Sequence, residues 1–166
     1  MPELPANADN AVPGPTVDEP EFTWRFTHKL DTQARVQMPS DWRPTDPNFV
    51  FMLCIWPHQP SGRKKACIKG FTQRVYRDLV RKVDAMRLGD PEADALRRAL
   101  FEDAVKLKLD GAGRLCLPAE MVSEVGLGKE AYFMGLGTQF EIWNKEVLDD
   151  CRKTDAALST NAFSRI

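Results

Sequence analysis

Two copies of one short motif lie in this chain, and a repeated motif constrains the fold more than any other feature of the sequence. KLDTQARVQMP at residues 29–39 aligns with KLDGAGRLCLP at residues 108–118, with identical Lys, Leu, Asp, Arg and Pro residues. After a slip of three residues, VFML (50–53) aligns with YFMG (132–135). We therefore interpret the 166 residues as two similar halves that share one core, with no room for a multi-domain enzyme.

Each half is predicted to form strand, turn, strand, short helix, strand, strand and helix. Val105, Leu107 and Leu109 alternate with polar residues, which is the pattern of a strand with one buried face. In the first half a third strand is predicted at 48–56 and a short fourth strand at 66–68, with the basic loop PHQPSGRKK between them. Helices are predicted around residues 75–86, after the Asp90-Pro91 cap, and over residues 145–158.

Charge is unevenly distributed along the chain, although its net charge is only -1. Residues 1–21 contain five acidic residues and no basic one, and their Pro-rich, weakly apolar composition predicts a disordered extension. Residues 22–82 contain 12 Lys and Arg against 4 Asp and Glu. This basic region suits a polyanionic partner such as nucleic acid, and it equally suits an ordinary solvated surface.

The remaining composition argues against several classes of site. The cysteines at positions 54, 67, 116 and 151 form no C-x-x-C pair, and His28 and His58 have no neighbouring ligand cluster. No apolar run approaches the ~20 residues that a membrane span requires. We therefore expect a cytoplasmic protein that is not an enzyme, without a metal, a cofactor, a small-molecule substrate or a membrane partner.

The repeated Asp-x-x-x-Arg motif is the strongest candidate for a functional site. Asp31 precedes Arg35 and Asp110 precedes Arg114, each across a predicted hairpin turn. An Asp at the entry of a turn accepts hydrogen bonds from backbone N–H groups, and Gly113 can adopt the positive φ that a tight turn needs. The Arg then leaves the turn with a guanidinium that can reach a phosphate or the O6 and N7 atoms of guanine.

Basic residues also occur along the strands that lead into these turns. Lys29 and Lys108 lie two positions before each Asp, and therefore on the same side of the strand, and Arg25 is added on the same argument. A two-stranded ribbon with such cations matches a β-type reader of the major groove. An intramolecular Asp–Arg pair that fixes the hairpin explains the same spacing, and the residues alone leave both interpretations open.

The motif carries a resemblance to a known family. Residues 101–146 closely resemble the second repeat of MraZ proteins, with the patterns LD-x-x-GR, apolar-LP, GL-x-K/R-E and G-x-FEIW. Residues 28–43 resemble the first motif of that family, H-x-LD-x-KGR-apolar-x-IP. The similarity extends over residues 22–150, which leaves only the two ends of the chain outside it.

The resemblance implies an α+β fold of the AbrB-like class, in which tandem repeats form a double-split, swapped-hairpin β-barrel with peripheral helices. It also implies a transcriptional regulator, associated with the nucleoid, that binds double-stranded DNA sequence-specifically as a homo-oligomeric ring. The implied target is a set of G-rich direct repeats upstream of the division and cell-wall gene cluster. The motif arginines, Arg35 and Arg114, are the implied DNA contacts. An oligomeric protein-interaction or antitoxin-like module that has lost DNA readout is the alternative.

The same reading divides the chain into five segments. They are a disordered acidic extension (1–21), a first AbrB-like repeat (22–86), a linker helix (87–104), a second AbrB-like repeat (105–150) and a C-terminal tail (151–166).

Some positions depart from the family pattern or allow two interpretations. Ala34 stands where the family has the turn Gly, and Gln33 replaces its Lys; if position 34 needs positive φ, Ala costs about 1 kcal/mol there. The basic loop at residues 63–65 is either a set of phosphate contacts or a solvated loop. Phe140 and Trp143 either stack on single-stranded bases or pack in the core.

Overall fold

The computed structural model describes residues 19–166, so residues 1–18 of the predicted extension lie outside the described residues. Within this range the strands are β1 (Arg25–Lys29), β2 (Arg35–Gln37), β3 (Val50–His58), β4 (Arg63–Thr72), β5 (Ala104–Lys108), β6 (Arg114–Cys116), β7 (Glu130–Gly135) and β8 (Gln139–Trp143). The helices are α1 (Gln73–Asp84), α2 (Pro91–Glu102), α3 (Ala119–Glu124) and α4 (Lys145–Phe163), and two single 3-10 turns lie at Ser40–Trp42 and Gln59–Ser61.

The strands form two antiparallel sheets. The larger sheet has six strands in the order β1-β7-β8-β4-β3-β5, and the smaller sheet pairs β2 with β6. The predicted α+β class is confirmed. The pairings of the six-stranded sheet end at β1 and β5, so its closure into a barrel stays a prediction.

The two halves of the chain interleave in an equivalent way. β1 pairs with β7 of the second half, and β5 pairs with β3 of the first half. Lys29 lies opposite Glu130, and the equivalent Lys108 lies opposite Val50, so Val50 and Glu130 are equivalent positions. The sequence alignment had instead matched Val50 with Tyr132. That alignment was wrong by two positions, because a shift of two residues leaves every side chain on the same face of its strand.

The β3–β4 hairpin differs most from the prediction. The segment predicted as a basic loop contains the end of β3, one 3-10 turn and the start of β4, and β4 is ten residues long. Gly62 closes the turn with φ 74°, a left-handed conformation that lets the chain reverse within a few residues. Strand β4 begins with polar, exposed residues, which is why the apolar pattern predicted a strand only at residues 66–68.

Both faces of the large sheet are covered. One face packs against the β2–β6 sheet and α3 around Trp42 and Phe133, and helices α1, α2 and α4 cover the other face. Phe140 and Trp143 are 0% and 3% exposed, so they belong to the core and form no stacking platform for bases. Gly70 lies opposite Phe140 in the β4–β8 pair, and a β-carbon there would stand 2.1 Å from the Phe140 ring.

Helices α1, α2 and α4 begin where short polar side chains accept backbone hydrogen bonds. Thr72 accepts from Val75 at the start of α1, Asp90 accepts from Glu92 at the start of α2, and Asn144 caps α4. Each cap satisfies an N–H group that has no partner within the first helical turn. The caps therefore fix where α1 and α4 leave the large sheet.

Candidate nucleic-acid interface

Strands β2 and β6, called the motif ribbon below, bring the two copies of the motif together. Val36 lies opposite Leu115 at the centre of the ribbon, and both side chains are fully buried. Because side chains alternate along a strand, the flanking positions lie on the other face of the ribbon. These outer-face residues are Arg35, Gln37, Arg114 and Cys116.

Each motif Asp organises its own turn. In the first turn Asp31 Oδ1 accepts hydrogen bonds from the backbone N–H groups of Gln33 (2.9 Å) and Arg35 (2.8 Å), while Oδ2 accepts from Arg35 Nε at 2.7 Å. The backbone N–H of Asp31 donates to the Arg35 carbonyl at 3.0 Å, which closes the hairpin. One carboxylate thus holds both the turn and the side chain that leaves it.

The second turn repeats this geometry. Asp110 Oδ1 accepts from the N–H groups of Ala112 (3.0 Å) and Arg114 (2.9 Å), and Oδ2 accepts from Arg114 Nε at 2.9 Å. Hydrogen bonds from the backbone N–H groups of Arg35 and Arg114 are the largest cause that lowers the pKa of Asp31 and Asp110 below its usual value. Both carboxylates are therefore ionised at neutral pH.

The two guanidinium groups are held at one edge only. The Arg35 and Arg114 side chains are 34% and 33% exposed. Among residues 19–166 neither guanidinium has a hydrogen-bond partner other than its own Asp, which bonds to Nε. The Asp–Arg pairs therefore form, and each leaves Nη1 and Nη2 without a partner in the described part of the chain. Contact of these groups with DNA stays a prediction.

Hydrogen bonds also join each turn to the other half of the ribbon. Met38 N donates to the Gly113 carbonyl (3.0 Å), and Leu117 N donates to the Ala34 carbonyl (2.9 Å). Gln37 adds a side-chain bond from Nε2 to the Ala112 carbonyl at 2.8 Å. The two turns are therefore parts of one rigid unit.

The two turns share a left-handed residue at equivalent positions. Gly113 has φ 77°, and Ala34 has φ 58°, so position 34 does require the conformation that favours glycine. Arg43 lies against Gly113: its guanidinium atoms would stand 3.1 Å from a β-carbon there, and its Nε donates to the Met38 carbonyl at 3.0 Å. The first turn is formed despite the strain of an Ala at positive φ.

The predicted lysines and Arg25 lie at different places along β1 and β5. Lys29 and Lys108 are exposed at the ends of their strands next to the turns, and neither makes an ion pair with residues 19–166. Arg25 lies at the opposite end of β1, four residues from Lys29, with its guanidinium 4.4 Å from the ring centre of Trp24. The structure therefore brings the lysines, but not Arg25, close to the motif ribbon.

Two of the three cations at residues 63–65 have acidic neighbours. Lys65 Nζ lies 2.6 Å from Glu124 and 3.9 Å from Asp103, and Arg63 lies 3.9 Å from Asp150. Because these cations already have carboxylate partners, they are poor candidates for phosphate contacts.

Other chemistries find little support among residues 19–166. No group of three or more His, Cys, Asp and Glu side chains there is arranged to hold a metal ion. Burial and, secondarily, the charge of Arg43 lower the pKa of His28, and burial raises the pKa of the Cys54 thiol to about 12. No helix in this part of the chain has the length and apolar composition needed to cross a membrane.

Sequence reasoning missed three neighbours of the motif. Gln37 and Cys116 follow Arg35 and Arg114 by two residues, so strand alternation places each beside its Arg and could have found it. No local signal could have found Arg43, because its contact with Gly113 joins segments that are distant in sequence.

Comparison with known proteins adds evidence that is independent of this geometry. The MraZ protein family model matches residues 100–165. A transcriptional regulator MraZ from Thermomicrobium roseum is 30% identical over 125 residues, covering 75% of this chain and 82% of the relative. A protein of the same name from Roseiflexus sp. strain RS-1 is 30% identical, covering 74% and 80%, and one from Ruegeria pomeroyi is 27% identical, covering 77% and 80%. With its duplicated hairpin motif and these relatives, the chain belongs to the MraZ family.

Proposed function

We propose that this protein is a DNA-binding transcriptional regulator that reads the major groove of double-stranded DNA with the motif ribbon. The proposal rests on one observation above all: Arg35 and Arg114 occupy the outer face of one short ribbon, each held through Nε by its own Asp. From strand spacing, their Cα atoms lie roughly 8 Å apart. The names of the relatives, which are transcriptional regulators, support the same function.

The held guanidinium suits base recognition better than general attraction. An Arg fixed at Nε presents Nη1 and Nη2 in a plane, and a pair of such donors matches the O6 and N7 acceptors of guanine. Each Asp cancels the net charge of its Arg, so cations without acidic partners must supply the attraction to the DNA backbone. Lys29 and Lys108, beside the turns, are placed for that role.

Several finer features belong to the same proposal. The interleaved halves derive from an internal duplication and form a swapped-hairpin barrel. Several copies of the chain assemble into a homo-oligomeric ring in the nucleoid. One ribbon with two to four cationic contacts binds DNA weakly at physiological salt, so useful affinity requires several ribbons on one assembly. The ring engages G-rich direct repeats upstream of the division and cell-wall gene cluster, so that its ribbons bind consecutive repeats.

A second candidate is a protein-interaction or antitoxin-like module of the same fold. The closed Asp–Arg pairs favour it, since a pair that only fixes a hairpin needs no DNA. In that case Arg35 and Arg114 would contribute to stability and not to DNA recognition.

Fluorescence anisotropy separates these functions. Duplexes with one, two or four G-rich repeats, and scrambled duplexes of equal length, are titrated over a series of salt concentrations. We expect affinity to rise steeply with repeat number and to fall with salt, because neutralised phosphates release counterions.

Two sets of variants then test the arginines. Arg35→Lys with Arg114→Lys keeps the charge and removes the planar fork, so preference for the repeats should disappear while salt-dependent binding remains. Arg35→Ala with Arg114→Ala should also abolish the preference. Discrimination that survives both double variants contradicts readout by the motif ribbon, and absence of binding to every wild-type duplex favours the protein-interaction module.

A further inference from the structure

From the structure we infer that a basic track on α1 and β5 binds the DNA backbone next to the second turn, through which β5 leads to Arg114 of the motif ribbon. The track consists of Arg77 and Arg81 on α1 and of Lys106 and Lys108 on β5. This inference rests on the proposed DNA-binding function and adds residues and a direction to it: the duplex continues from the ribbon over helix α1.

Strand β5 aligns part of the track with the motif. It is an edge strand of the large sheet, and its exposed residues Lys106 and Lys108 alternate with the half-buried Val105 and Leu107. The same alternation continues to Asp110, which holds Arg114. From Lys106 to Asp110 the row is about 13 Å long, the rise of roughly four nucleotides along one DNA strand.

Helix α1 supplies the other part of the track. Arg77 and Arg81 are four residues apart, and therefore on one face of the helix, and both are exposed. Together with Lys106 they line one groove, with a volume of about 350 Å³, between α1 and the sheet. The groove thus joins the cations of the helix to those of the strand.

The cations of the track have no acidic partners in the described part of the chain. No ion pair joins Arg77, Arg81, Lys106 or Lys108 to another of residues 19–166, and the one carboxylate between the two arginines on α1, Asp78, is paired with Lys82 at 3.2 Å. Unpaired cations in a row, which β5 connects to the second turn at Asp110, complement a row of phosphates. Their contacts carry no sequence information.

The corresponding helix of the other half provides a contrast. Helix α4 follows β8 as α1 follows β4, and it also has basic residues in its first half. These cations, however, are paired with acidic residues of the same helix: Lys145 and Arg152 with Asp149, and Lys153 with Asp150. The track is therefore a property of one half, and the paired cations of α4 form a matched control.

The test measures how affinity depends on salt. The triple variant Arg77→Ala, Arg81→Ala, Lys106→Ala and the control variant Lys145→Ala, Arg152→Ala, Lys153→Ala each remove three positive charges. Both are titrated with a duplex that carries one G-rich repeat with ten flanking base pairs, and with a scrambled duplex. Thermal unfolding of each variant confirms that it is folded.

We expect the track variant to lose affinity equally for both duplexes and to lower the salt slope by about one unit for each residue removed. The control variant should keep the wild-type slope. The charge-conserving variant Arg77→Lys, Arg81→Lys, Lys106→Arg should also have the wild-type slope, because a phosphate contact requires a charge and not a particular donor geometry.

Two outcomes would overturn the inference without touching the proposed function. If the track variant keeps the wild-type salt slope while repeat preference still depends on Arg35 and Arg114, the proposed function stands and the track has no role in binding. Equal losses in the track and control variants would show that only net charge matters. A wild-type protein that binds neither duplex would instead refute the proposed function, and the track with it.

Discussion

Gly113→Ala tests whether the second turn is held in its left-handed conformation by contacts from elsewhere in the chain. At φ 77° a β-carbon costs roughly 1–2 kcal/mol, and the smaller conformational freedom of Ala in the unfolded chain returns about 0.4–1 kcal/mol. The new methyl group would also stand 3.1 Å from the Arg43 guanidinium, which is held by the Met38 carbonyl. Displacing Arg43 costs that hydrogen bond, about 1 kcal/mol.

We therefore expect Gly113→Ala to lower the free energy of unfolding by about 2 kcal/mol, which for a chain of this size is a fall in Tm of roughly 4–8 °C. Gly62→Ala is the matched control, because its φ is 74° and nothing lies within 4 Å of the new β-carbon. It carries the same backbone strain without the contact, so its loss should be about 1 kcal/mol. Urea titrations followed by circular dichroism measure both values.

A double variant isolates the contact with Arg43. In an Arg43→Ala background the cost of Gly113→Ala should fall to that of Gly62→Ala, because the guanidinium is no longer in the way. Equal losses for Gly113→Ala and Gly62→Ala in the wild-type background would refute this account of the turn.

Three further predictions follow from buried or exposed groups. Burial, and then the charge of Arg43, lower the pKa of His28 in the folded chain below 6.5, so the unfolded chain binds a proton at a higher pH than the folded chain does. The free energy of unfolding should therefore fall as the pH drops through about 6.5. His28→Phe should flatten this dependence in urea titrations between pH 7.5 and 5.5. Lys69→Met leaves the mostly buried Glu141 carboxylate without its cation and with the Trp143 Nε1–H hydrogen bond, and should lower the free energy of unfolding by about 3 kcal/mol in the same titration; adding Glu141→Gln should recover most of it. Cys116 is the one exposed thiol among the four cysteines, so Ellman's reagent should label one thiol in the native protein and none in Cys116→Ser.

Periodicity predicted much of the fold, and its failures have a common cause. The alternation around Leu107 and Leu115 located the strands of the motif, and the Asp90-Pro91 cap located the start of α2. Strand β4 was predicted too short because its first residues are exposed and polar, although Arg63 pairs with His58 of β3. Hydrogen bonding to a neighbouring strand makes a strand of such residues, and hydropathy does not record it.

The site was predicted in part for the same reason. Residues within four positions of each other, such as Asp31 and Arg35, interact through local geometry, so the spacing offered the pair that the structure forms as one of its two interpretations. Arg25 follows the same strand alternation but lies too far along β1 to reach the motif ribbon. Alternation gives the face on which a side chain lies and not its position along that face.

The sequence by itself determined the two hairpin turns, because every hydrogen bond that defines them joins residues no more than four positions apart. Only the tertiary structure decided that β2 pairs with β6, which sets Arg35 and Arg114 side by side, and that helix α1 lies beside Lys106. Strand register and helix docking depend on how the whole core packs. A slip of two residues or a different helix position leaves the local pattern unchanged, so the pattern cannot distinguish these alternatives.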